Sequence, residues 1–492
     1  MGSSSVPEEV ECLYNDGIAW IKRHTDKTDL FSNLDQEQKK QNEMEETQRV
    51  LDNVEHILIN GTEQILDHVY RQIGFDRIKD DILRQLVIAR LSQPLSKLAT
   101  VDYLKSYYDE DVNLSKIYRY MDKLHKTQQE VVQQISVEHT RKILGGNIGL
   151  VFYDVTTLYF ESDYSDELRE RGFSKDGKHS QPQVVLGLLV SRGGYPLAYS
   201  LFNGSQYEGY TMIPIVEDFV ERFKLEDFVV VADSGLLNQK NISLMESGGY
   251  KYIVGARIKN ENQEIKDWIL SLEKKEGTFY EQNKTDKRRL IVNYSASRAK
   301  KDALNREKGV KRLTKNYKKG IITKENINKR GYNKFLDISD DVKVTINQEK
   351  ISIDQQWDGL KGYLTNTNLP AQDVFDLYHD LWFIERAYRI TKGTLEMRPV
   401  FHFTAKRIEA HVCICFVAYK VYKELERILR SNNFNLSVDK VLSIAKTVTT
   451  IKVRLPHNDR SMTQMMLLTS KQKLIAPLFD DKFWERVKLG VP

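Results

Sequence analysis

Cysteine is nearly absent: Cys12, Cys413 and Cys415 are the only three in 492 residues. That is too few for a disulfide framework and points to a reducing interior. Cys413 and Cys415 fall in the apolar run HVCICFVAY and read as buried small residues, since no second Cys/His pair stands at zinc-site spacing. Long hydrophobic runs are missing too. No stretch of eighteen uncharged apolar residues occurs, which argues against a membrane-spanning helix, and the first residues lack the basic-then-apolar pattern of a secretory signal. The expectation is a cytoplasmic protein. Neither charge sign dominates: 74 Lys and Arg against 69 Asp and Glu give a net +5, so bulk charge does not argue for nucleic acid. There is no P-loop, no GxGxxG after a strand and no HExxH. Nucleotide hydrolysis, dinucleotide chemistry and zinc proteolysis therefore lose their usual sequence support.

What is present divides the chain. Its length suggests two to four domains. Residues 1–145 are rich in Glu, Gln, Lys and Leu, with apolar positions at three- and four-residue steps, and predict an almost wholly helical region. Within it, a turn at Asp109–Asp111 followed by LSKIYRYMDK, carrying Lys116, Arg119 and Lys123, is compatible with a helix-turn-helix DNA reader and equally with a plain bundle. Near residue 147 the character changes to β-branched and aromatic runs: GLVFYDVTTLYFES, QVVLGLLVS, YPLAYSLF, then a helix, EDFVVVADSG, another helix and YKYIVGARI. Residues 146–260 thus read as α/β. Residues 261–365 break the pattern. From Lys284 to Lys334 there are 18 Lys or Arg against four acids, with strand-like pieces such as RLIVNYSA and KVTINQEKISID on either side. This reads as a basic, partly β insertion suited to a polyphosphate. Residues 366–430 return to helix, and 431–492 form a mixed, basic tail.

Three acids stand out. Asp154 and Asp233 come near the ends of strands too apolar to lie on the surface, where ligand sites of open α/β sheets collect; a lone Asp there is also a common turn residue. Glu385 sits in YHDLWFIERAYRITK, which has the pattern of one helix. Tyr378 lies seven residues before it, Arg389 four after and Lys392 seven after, so all fall near one helical face. A surface Glu with an i,i+4 Arg explains that stretch alone. Taken together, three carboxylates are hard oxygen donors suited to two Mg²⁺ or Mn²⁺ ions in displacement at phosphorus.

These segments resemble the DDE transposases of bacterial insertion sequences. The similarity covers residues 147–425 and rests on FYDVTTLYFE, ADSGLLN and WFIERAYRITKGTLEMRPV taken together. Tyr378, Glu385 and Lys392 match the family's Y-(2)-R-(3)-E-(6)-K signature, while Leu381 stands at its arginine position. The resemblance implies an RNase H-like, retroviral-integrase-like α/β core interrupted by the basic insertion, with an N-terminal helical domain for transposon ends. It implies catalytic and metal-binding roles for Asp154, Asp233 and Glu385, and DNA-phosphate contacts from Tyr378, Arg389 and Lys392, with Arg386 or Arg389 replacing the missing arginine. Trp357 and Tyr363 become candidates for stacking an unpaired base, although such residues are more often core. The implied partners are terminal inverted repeats and target DNA, held by a homodimer on the bacterial nucleoid, with a hairpin intermediate in relatives bearing the signature. A silent end-binding descendant or another RNase H-like nuclease are the alternatives.

Overall fold

Apolar, β-branched runs from the middle of the chain pair into one eight-stranded sheet, and nearly everything else is fastened to its two faces. The computed structural model describes residues 5–24, 30–174, 177–236, 238–319, 331–339, 343–455 and 460–489. Seven helices come first: α1 Pro7–His24, α2 Leu30–Asp52, α3 Gly61–Ile73, α4 Asp81–Ser92, α5 Lys97–Tyr108, α6 Leu114–Lys123 and α7 Gln129–Ile143. A strand, β1 Val54–Leu58, interrupts them. The sheet then begins with β2 Leu150–Tyr159, β3 Gln183–Ser191 and β4 Pro196–Asn203, followed by α8 Met212–Phe223, β5 Val229–Ala232, α9 Gln239–Ser247, β6 Lys251–Ala256 and α10 Gln263–Ser271.

The strand order is β4-β3-β2-β5-β6-β11-β8-β7, where β7 is Phe279–Thr285, β8 Arg288–Tyr294 and β11 Leu360–Thr365. Strands β2, β5 and β6 run parallel, and the flanking pairs are antiparallel. β3 is buried along its whole length, as a strand covered on both faces must be, which is why QVVLGLLVS carries no alternating polar residue. One face packs against α8, α9 and α10. The other receives α13 Ala371–His379, α14 Trp382–Arg389 and α15 Ala405–Ser431, together with the N-terminal helices.

The basic segment is only partly an insertion. Its strands β7, β8 and β11 prolong the main sheet. What projects is α11 Ala296–Lys318, a ribbon of β9 Leu336–Ser339 and β10 Lys343–Ile346, and α12 Gln348–Gln355, around a small cluster of Leu313, Phe335, Leu336 and Val344. KVTINQEKISID is therefore strand then helix, because Asn347 caps the turn by accepting from the Lys350 amide at 3.0 Å. The tail holds α16 Val438–Ala445, β12 Thr449–Arg454, β13 Ser461–Met466, α17 Ser470–Leu474 and α18 Asp481–Leu489. It is not a separate unit, for β12 lies between β13 and β1 in a three-stranded sheet.

The stretch from Tyr378 to Lys392 is not one helix. α13 stops at His379, and the amides of Leu381 and Phe383 turn back to the carbonyls of Tyr378 and Asp380 at 3.2 and 3.0 Å. α14 then starts at Trp382 and widens into a π turn over Ile390–Thr394.

α15 is the element that joins the halves, packing on α3, α4, α6 and α7. Its Lys420, 0% exposed, donates to the Ser136 carbonyl at 3.1 Å and the Thr140 hydroxyl at 2.5 Å on α7. Burial lowers this amine from 10.5 to about 7. Between those values the unfolded chain holds a proton the folded chain has lost, so stability rises with pH through that window. Lys420→Met is expected to remove part of the rise in melting temperature between about pH 7 and pH 9, read by thermal denaturation.

Candidate active site

Register creates the site. β2 and β5 pair in parallel with Tyr153 opposite Ala232, so the next residues, Asp154 within β2 and Asp233 just past the end of β5, come side by side. Parallel neighbours lie about 4.8 Å apart, so the backbones that carry the two aspartates are adjacent. Asp154 is not at the end of its own strand, since β2 runs on to Tyr159 against β3. It stands where β5 stops, and the opening left by that shorter strand is the cleft. Beyond Asp233 the chain turns tightly, and Arg257 holds the turn by donating to the carbonyls of Ser234 (3.1 Å) and Gly235 (3.2 Å).

Glu385 arrives from α14. That helix lies on β2 and β3, with Phe383 against Phe152 at 6.0 Å between ring centres. Tyr388, one turn on, is buried, and its hydroxyl is shared between the carbonyls of Asp154 (2.7 Å) and Leu186 (3.2 Å). This ties the helix bearing one acid to the peptide of another. The sequence marks Tyr388 only as an apolar position. Asp154, Asp233 and Glu385 line one open cleft of about 310 Å³ with Lys361, Tyr378, His379, Leu381, Trp382 and Ile384. Among the described residues no three carboxylate, imidazole or thiolate groups are gathered into a finished metal cage. The acids stand as separate walls.

The other residues singled out in the sequence are distributed differently. Tyr378 is 6% exposed and donates its hydroxyl to Asp233 Oδ1 at 2.8 Å. Burial, then the Asp233 charge, raise its pKa, so it stays a neutral donor. Arg386 is turned away and clamped in a fork to Glu426 of α15; a guanidinium so paired is not presented to a phosphate in the cleft. Arg389 is exposed and Lys392 half-buried, and neither lines the cleft. The π turn, closed by Leu395 N–H to the Ile390 carbonyl at 2.9 Å, breaks the 3.6-residue count that aligned Lys392 with Glu385. Trp357 and Tyr363 are 7% and 0% exposed. Packed in the two cores, they offer no face to a base.

The close fit of Tyr378 depends on Gly255 of β6. A methyl group there would stand 2.5 Å from the Tyr378 hydroxyl oxygen and 3.2 Å from Ser234 Cβ. Gly255→Ala is expected to destabilise the fold by about 1–3 kcal/mol through overpacking. Because the hydroxyl is the nearest atom, adding Tyr378→Phe should return part of that loss, with the ring carbon that carried it still 3.1 Å away. Denaturant melts of the single and double variants form the cycle that checks it, and strict additivity would contradict the stated contact.

A search of curated proteins finds no match. Among solved structures, the chain is similar to a piggyBac transposase synaptic complex with hairpin DNA, with 10% identity, a TM-score of 0.41, and coverage of 78% of this chain and 76% of that one. It is also similar to a Mos1 transposase paired-end complex with left transposon end, with 12% identity, a TM-score of 0.16, and coverage of 36% and 55%. The family model described as transposase DDE domain matches residues 146–420, which takes in β2, β5, α14 and all three acids. That match spans more than half of the chain, and the protein belongs to the DDE transposase family.

Proposed function

We propose that this protein is an active DNA transposase of an insertion sequence, cutting DNA at the element's terminal repeats and joining the freed 3′-hydroxyls to target DNA. The observation that carries the reading is the convergence of Asp154, Asp233 and Glu385 on one cleft, with two of them on register-matched parallel strands. The order β4-β3-β2-β5-β6, antiparallel then parallel, supports an RNase H-like core. Carboxylate oxygens are the donors that Mg²⁺ or Mn²⁺ prefer, so the donor set fits two such ions by type. When bound, the ions would supply charge neutralisation for in-line displacement at phosphorus. The protein's own part is to hold the three acids: Tyr378 steadies Asp233 by its hydrogen bond, and Tyr388 fixes α14 to the Asp154 peptide.

DNA would approach over basic surface. α11 exposes Lys300, Lys301, Lys308, Lys311, Arg312 and Lys315, and its first turn carries Arg298, whose charge reaches Lys361 in the cleft. α6 exposes Lys116 and Arg119, whereas Lys123 is paired with Asp80 at 2.7 Å. We assign transposon-end binding to the N-terminal helices, together with the tail strands that complete their sheet. A homodimer holding two ends, a hairpin step and residence on a bacterial nucleoid belong to the same reading.

Supercoiled plasmid bearing the element's ends, incubated with protein and Mg²⁺ or EDTA, tests it. Metal-dependent nicking and strand-transfer products are expected; end binding with no nicking would assign a silent binding protein instead, and cleavage without joining another nuclease. Asp154→Ala, Asp233→Ala and Glu385→Ala should each abolish nicking while end binding, read by gel shift, stays within severalfold. Neutralising Lys300, Lys308 and Lys315 together should lower the log–log salt slope of binding by up to about three, near one per lost phosphate contact, and an unchanged slope would route the DNA elsewhere.

A further inference from the structure

Beyond the metal ions that its acids would hold, a cleft walled by three carboxylates receives a phosphodiester better where a protein cation faces it. The signature arginine, which would supply one, is replaced by Leu381, 8% exposed and lining the cleft with hydrocarbon. Arg386 is held by Glu426, and Arg389 and Lys392 lie outside the lining. One lysine does line it among the described residues, and it comes from a different part of the chain: Lys361 of β11. Strand alternation sends residues 361 and 363 to the face covered by α13. Tyr363 fills the core there, and the Lys361 ammonium lies over the Tyr378 ring, 4.3 Å from its centre. Its charge acts on both Asp233 and Glu385. Yet among the described residues the ammonium forms no hydrogen bond and no ion pair within 4.0 Å, so a largely buried cation has donors left over. Three ammonium donors, with no acceptor in place, face a cleft built for an anion.

We propose that Lys361 stands in for the missing signature arginine and grips a non-bridging oxygen of the phosphate entering the cleft. Its seat over the Tyr378 ring keeps the ammonium off the acids and aimed into the opening, so Lys361 acts as a positioning residue for the DNA strand. This rests on the transposase reading above.

A chemical double-mutant cycle tests it. Full-length protein binds a duplex of the element's end, followed by fluorescence anisotropy in EDTA, with either a normal phosphodiester or an uncharged methylphosphonate at the cut position. Relative to Lys361→Met, wild type is expected to lose roughly tenfold more affinity when the methylphosphonate replaces the phosphodiester, the scale of one charge-assisted hydrogen bond. Lys361→Met should lose about the same on normal DNA and nothing more on the methylphosphonate, and Lys361→Arg should restore most of the difference. A purely structural role would not make the loss depend on the charge of one phosphate. If Lys361→Met does not fold by circular dichroism, Lys361→Gln, which keeps length and polarity, takes its place. Equal methylphosphonate sensitivity in wild type and variant overturns the assignment while the transposase reading stands. A wild type that neither binds nor nicks end DNA overturns both.

Discussion

The parallel register between β2 and β5 is the constraint on which the cleft depends. It brings together two aspartates that the chain keeps far apart, and it does so through backbone hydrogen bonds that no side chain can shift by a fraction of a residue. A slip of one position would send Asp154 to the opposite face of the sheet. The burial of β3 on one side and the pairing of β5 with β6 on the other make that slip prohibitively costly, because every apolar residue of β2 would change faces with it. Glu385 cannot share the register, since it lies on a helix. It is tied to it indirectly, by a phenol bonded to the Asp154 peptide.

α15 carries this arrangement outward. Its buried face is apolar, but it also buries Lys420, Lys423, Glu424 and Glu426. Each is matched to a specific partner: Lys420 to α7, Lys423 and Arg386 to Glu426, and Arg427 to Glu424. Buried ion pairs of this kind contribute little net stability, but removing one partner leaves an uncompensated charge in the core. They fix how the N-terminal helices and α14 sit on one rod. Arg386, counted in the sequence as a phosphate ligand, belongs to this set.

The sequence made the α/β alternation legible, because runs such as QVVLGLLVS and EDFVVVADSG have no other stable use than buried strands. It made the three acids legible because each interrupts or follows such a run, or stands alone among aromatics and cations. The rest depended on tertiary packing. The break between α13 and α14 lacks glycine and proline, and shows only in the tightened hydrogen bonds of the Leu381 and Phe383 amides. Trp357 and Tyr363 are aromatic in a basic region, yet composition cannot say which aromatics the sheet will cover. The insertion strands looked separate because their pairing with β6 runs through β11, which follows them by some seventy residues of sequence. Lys361 was invisible for the same reason: its importance comes from the ring of Tyr378 beneath it.

The small sheet of β1, β12 and β13 has a consequence for synthesis. Glu55 receives Arg454 from 399 residues further along the chain, so β1 has no partner strand until synthesis has passed β12. The first domain-sized length of chain emerges early but is completed late, by the tail. The strands bearing both aspartates pair locally and need not wait. A product truncated before β12 would therefore hold the strands bearing both aspartates while β1 still lacks its partner strand.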